Sequence, residues 1–206
     1  GFLSLMMMPI YLRLLGSAEW GVVAICITVQ SFLNIFDAGL SQIMPRDVAK
    51  VGLELKLRTE KLKQFWMAYA LIGSIVFCVC QSFIPVLVSG WLNVPKEYET
   101  EAVWVLRIGV VQFWFQFVNG AHVGFFYGVD QQKNLNIRSC IFAIAKHFFT
   151  FLVLMYSPKS IVYMLSLTVF SIAEYAYNSF LLKEYRVCKM VISDWIAALR
   201  VLFSEL

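Results

Sequence analysis

The chain has 206 residues, of which 60% are hydrophobic and 15% charged, with a net charge of +4 and a mean hydropathy of +0.73. Soluble domains average about 45–50% apolar and about 25% charged. A water-soluble fold of this composition would need a core larger than its surface can enclose, so the chain reads as a membrane protein.

The first run, "GFLSLMMMPIYL", is shorter than the ~20 residues that cross a bilayer. It lacks the basic start and small-residue cleavage site of a signal peptide, and is read as a transmembrane helix cut at its start. Five complete spans follow, at residues 20–44, 65–92, 102–128, 139–156 and 161–182, making six. Lipid offers the backbone no hydrogen bonds, so such spans are helices. No window has the ~10-residue alternation of an outer-membrane barrel. In the tail, Ile192, Trp195, Leu199, Leu202 and Leu206 share one face. This predicts an amphipathic helix lying on the membrane, or equally the lead-in to a seventh span. The expected fold is all-α and polytopic: a six-helix transmembrane bundle over 1–186 and an amphipathic linker over 187–206. The linker would lead to a second bundle missing from this chain.

The connectors divide by charge. Twelve of the 17 basic residues fall between the second and third spans (Arg46, Lys50, Lys56, Arg58, Lys61, Lys63), after the fourth (Lys133, Arg138) and after the sixth (Lys183, Arg186, Lys189, Arg200). Lys and Arg mark the cytoplasmic side. The expectation is a multi-pass protein of the cell (inner) membrane with both ends of this chain cytoplasmic. In "IMPRDVAK", Pro45 lacks a backbone donor and favours a helix break at the cytoplasmic exit of the second span.

Polar residues recur at helical spacing inside the spans. Gln30, Asn34, Asp37 and Ser41 form one line on the second, and Ser139, Ala143, Lys146 and Thr150 repeat it on the fifth. The fourth carries Gln112, Gln116 and Asn119, and the sixth Ser166, Phe170, Glu174 and Tyr177, with Asn178 adjacent. A charge at mid-membrane costs about 2.5–3.5 kcal/mol even on insertion scales, so these lines should face inward. They either glue helices together or line a shared hydrated cavity. His122 and His147 lack metal-ligand spacing, and Gly120 with Gly124 reads as a close-packing motif. The five cysteines, among them the Cys78-Val79-Cys80 stretch, fit neither zinc nor redox spacing; most read as small hydrophobes. No nucleophile–base pair or phosphate loop suggests an enzyme, and nothing suggests a nucleic-acid partner.

"LLGSAEWGVVAI" followed by "DAGLSQIMPRDVAK" resembles the amino-terminal half of bacterial polysaccharide (O-antigen type) flippases of the multidrug/oligosaccharidyl-lipid/polysaccharide exporter superfamily. Leu15-Gly16, Trp20-Gly21, Asp37, Gly39-Leu40-Ser41, Arg46 and Ala49-Lys50 match the family pattern. Gly128 and Asn136 fit a second stretch, where Asp130 and Gln131 replace the usual Gln-Arg. The resemblance implies one lobe of a two-lobe transporter that moves a lipid-linked oligosaccharide, a polyprenyl-diphosphate glycan, to the outer leaflet for surface polysaccharide synthesis. In that setting Lys146 and Arg46 are the candidates for drawing in the anion. Gln30, Asn34, Gln112, Gln116, Asn119, Glu174, Tyr177 and Asn178 are candidates for glycan contact. Asp37 and Glu174 are candidates for a coupling ion, proton or sodium; Asp37 is equally read as an ion pair to a neighbouring helix end. The alternative is a multidrug exporter of organic cations from the same superfamily. A membrane glycan polymerase is disfavoured by short outer connectors.

Overall fold

The computed structural model describes residues 2–186 apart from 38 and 93; the expected linker at 187–206 lies outside the described residues. Every regular element is helical: α1 (Phe2–Leu33), α2 (Leu40–Lys50), α3 (Leu55–Gly90), α4 (Glu99–Gly128), α5 (Gln132–Tyr156) and α6 (Ser160–Leu181), with short 3₁₀ turns at Asn34–Asp37, Lys96–Tyr98 and Lys183–Arg186. No strand occurs among the described residues. Among the described residues, five helical runs are long and apolar enough to cross a membrane: Leu3–Asp37, Leu55–Gly90, Lys96–Gly128, Gln132–Tyr156 and Ser160–Leu181.

The run through α1 is sharply broken at Gly16, whose φ of 79° and ψ of 169° leave the helical range. Nine residues of unbroken helix would put about 13 Å of rise between Tyr11 and Trp20, yet their ring centroids lie 6.4 Å apart. The arm before the break docks on α5. The Tyr11 hydroxyl is 2.9 Å from Nδ1 of His147, and Ser4 Oγ is 3.1 Å from its Nε2. His147 is therefore a buried helix-to-helix link. Tyr11, Trp20 and Tyr163 complete the junction through edge-on ring contacts.

The second break differs from expectation. The helix runs through Pro45, which sits inside α2, and interrupts earlier, at the 3₁₀ turn Asn34–Asp37 and at Gly39. Gly39 takes φ 83°, a left-handed conformation that costs glycine little. Pro45 stands at the sixth residue of α2, past the free first turn, so the helix continues without the one i→i−4 bond that a residue there would give to the Ser41 carbonyl. At the α4–α5 turn Asp130 holds φ 60°, which Asp accepts more readily than most side chains.

α4 is the central helix: half of its apolar window is buried, against 17% for α5. Its glycines permit that centrality. A Cβ on Gly109 would lie 2.2 Å from the Cys26 sulfur, and one on Gly120 2.9 Å from the Tyr69 ring. Apolar side chains such as Phe83, Val86, Phe148 and Met155 point outward, as expected of surfaces in contact with lipid.

The bundle has two distinct ends. At one, Glu19 of α1, Glu101 of α4 and the first residue of α6 converge. Glu19 Oε2 accepts the Ser160 amide at 2.7 Å, and Glu101 Oε1 accepts its hydroxyl at 2.5 Å. At the other, Asp47 of α2 pairs with Lys50 and with Lys61 of α3, each at 3.4 Å, and Tyr185 packs edge-on against Phe125. Among the described residues, the ends of α2, α4 and α6 that lead into basic connectors meet at this second end, with Gly128 beside Val48 and Tyr185 beside Phe125.

Candidate functional site

Two adjoining cavities lie on one flank of the bundle. The larger, about 360 Å³, is lined by Asn34, Asp37, Ser41, Tyr69, Gln116, Phe117, Gly120, Val123, Gly124 and Tyr127. The smaller, about 160 Å³, is lined by Gln116, Ser139, Phe142, Ala143, Lys146, Phe170, Ser171 and Glu174. Gln116 belongs to both walls, so one polar surface runs from the break in the second span to the facing polar lines of α5 and α6.

Asp37 is fixed from two sides. Its Oδ2 accepts the Ser41 hydroxyl at 2.6 Å and the Ser41 amide at 3.3 Å, capping the start of α2. Its Oδ1 accepts the Tyr69 hydroxyl of α3 at 2.8 Å. Charge-assisted bonds of this kind are the stronger ones, and a carboxylate at a helix N-terminus also meets the positive end of the helix dipole. Among the described residues Asp37 has no ion-pair partner.

In the smaller cavity Glu174 faces Lys146 and Ser139. No direct ion pair joins Lys146 to Glu174 among the described residues; the two charges look at each other across the space. Gln116 Nε2 donates to Ser171 Oγ at 3.1 Å. Phe142 and Phe170 form apolar walls, backed by Tyr177 at 5.7 Å and Phe149 at 5.6 Å between ring centroids.

The other candidates are used differently. Gln30 donates to the Gly109 carbonyl at 2.8 Å and to Gln112 at 3.3 Å, tying α1 to α4. Asn178 donates to Asn119 Oδ1 at 3.1 Å, tying α6 to α4. These four side chains are helix glue in this arrangement, as is Thr150, 2.9 Å from Ser166. The line Gln30–Asn34–Asp37–Ser41 is thus split: its first member turns to α4 and the others line the larger cavity. Tyr177 backs a wall, and Arg46 is exposed on α2, outside both linings. Two residues escaped the sequence reading. Ser171 precedes Glu174 and Asn178 by three and seven positions, a signal that was present. Tyr69 sits singly in an apolar run, and only the packing of α3 beside Gly120 brings it to Asp37.

These features define a class: an all-helical bundle compatible with a multi-pass membrane protein, carrying a polar, charge-bearing flank. Set against protein-family models, curated proteins and solved structures, the chain matches none of them.

Proposed function

We propose that the chain is one lobe of a transporter that moves a lipid-linked oligosaccharide between leaflets by alternating access, its six spans counted from the two arms on either side of Gly16. The observation that carries this reading is the polar flank itself. Asp37 lines the larger cavity, Lys146 and Glu174 line the smaller, and Gln116 belongs to the wall between them; ionisable groups inside spans line pathways more often than they face lipid. A helix interrupted by the turn Asn34–Asp37 beside that wall fits transporters whose sites form at interrupted helices between two bundles. The basic end would face the cytoplasm, and the second bundle would cover the flank.

A second reading, export of organic cations, is favoured by the count of charges on the wall: two carboxylates against one ammonium. One experiment addresses both. The reading frame that encodes this chain is expressed in a bacterium lacking its lipid-linked-oligosaccharide flippase. Surface polysaccharide is expected to return, and Lys146→Gln is expected to lose most of it at equal membrane abundance. No restoration by a protein that reaches the membrane, together with resistance to cationic drugs, would replace the first reading with the second.

A further inference from the structure

The smaller cavity deepens the transport reading and rests on it: we infer that the Lys146–Glu174 cavity is a subsite for a single sugar ring of the glycan, and not for its diphosphate. The argument begins with charge. Lys146 alone would suit an anion, but Glu174 lines the same space. A diphosphate drawn to the ammonium would meet a carboxylate in a setting where like charges repel strongly. An ammonium and a carboxylate facing across a cavity together present zero net charge, with donors on one side and acceptors on the other.

The walls complete the match. Phe142 and Phe170 are flat and apolar, and each is backed by a second ring. Gln116 and Ser171 add an amide and a hydroxyl, already bonded to each other at 3.1 Å. A pyranose has the complementary surface: an apolar C–H face and a rim of hydroxyls, each of which both donates and accepts. Such a rim can bridge Lys146 to Glu174 and satisfy both of these half-buried groups, since polar groups taken out of water need partners. Size agrees as well. At about 160 Å³ the cavity is smaller than the ~300–1,000 Å³ that hold drug-sized ligands. It admits one compact polar unit, with the rest of a longer glycan continuing past Gln116 into the larger cavity.

The test uses the purified chain in lipid nanodiscs and calorimetric titration with methyl glucoside, methyl galactoside, methyl N-acetylglucosaminide and inorganic pyrophosphate. At least one glycoside is expected to bind, and pyrophosphate is expected neither to bind nor to displace it. Lys146→Gln should weaken glycoside binding at least tenfold, because it strands Glu174. The double variant Lys146→Gln with Glu174→Gln, which removes both charges and keeps the hydrogen-bonding groups, should recover to within threefold of the wild type. Pyrophosphate binding that disappears in Lys146→Gln and stays absent in the double variant would overturn the inference. So would a wild-type chain that takes none of the glycosides; that comparison needs no variant to fold. A protein that restores surface polysaccharide yet takes no glycoside would remove the subsite and leave the transport reading in place. One that takes a glycoside but restores nothing would do the reverse.

Discussion

Gly109 offers the sharpest test of the packing. A methyl group added there would sit 2.2 Å from Cys26 Sγ and 3.3 Å from both Gln30 Nε2 and Met164 Cε. Carbon atoms rest about 3.5–4.0 Å apart, so Gly109→Ala forces α1 and α4 to separate by an ångström or more. Overpacking of this kind costs about 1–3 kcal/mol. The same separation stretches the Gln30 bond to the Gly109 carbonyl, and interhelical bonds in membranes average about 0.6 kcal/mol. The expected loss is about 2–3 kcal/mol. Cys26→Ala removes the sulfur that the methyl group meets and by itself should cost about 1 kcal/mol. If the clash is the cause, the double variant should be little worse than Cys26→Ala, a coupling of about 1.5–2 kcal/mol. Reversible unfolding in mixed micelles, followed by tryptophan fluorescence, measures all four corners of the cycle. Effects that add to within about 0.5 kcal/mol would refute the direct contact between α1 and α4 at this point.

Tyr69→Phe removes the donor to Asp37 Oδ1 and nothing else of size; a bond to a charged group contributes about 1.5–3 kcal/mol, and the same unfolding assay should show a loss in that range, whereas an unchanged midpoint would mean that Tyr69 does not hold Asp37. Ser160→Ala deletes the hydroxyl bonded to Glu101 while leaving the amide bonded to Glu19. It should cost about 1–3 kcal/mol, and hydrogen exchange should speed up in the first turn of α6. Unchanged exchange there would show that the Glu101 bond does not pin that helix end.

Much of the architecture could be read from the amino acids because lipid enforces simple rules. Apolar length placed the later spans to within a turn or so at most ends; α5 started early, at Gln132, and α3 earlier still, at Leu55, because polar or amphiphilic stretches such as 55–64 stay helical outside an apolar window. The close approach at Gly120 and Gly124 was also legible, since small residues four apart have one main use between membrane helices. The helix break was placed wrongly for a physical reason. Pro45 is the obvious breaker, yet it removes one backbone bond and the helix continues through it, whereas the left-handed Gly39 and the carboxylate of Asp37 on Ser41 set where the new helix starts. The site was half legible. Helical spacing put Lys146 and Glu174 on inward lines, and the structure brings those lines into one cavity. Spacing alone could not separate Gln116, which lines a cavity, from Gln112 one turn away, which is spent on Gln30. That distinction depends on which neighbour each turn of α4 meets.

The length of α3 has a further mechanical meaning. Its 36 residues rise about 54 Å, while the hydrocarbon slab is about 30 Å thick. Even with tilt, the helix must protrude, and its polar first ten residues mark the protruding part. That stem carries Lys56, Arg58, Lys61 and Lys63, and Lys61 ties it to Asp47 of α2 at 3.4 Å. A rigid rod held at its middle by lipid and α4 behaves as a lever. Any tilt of α3 would be largest at the basic tip, while nearer the middle Tyr69 would carry it to Asp37, which accepts its hydroxyl.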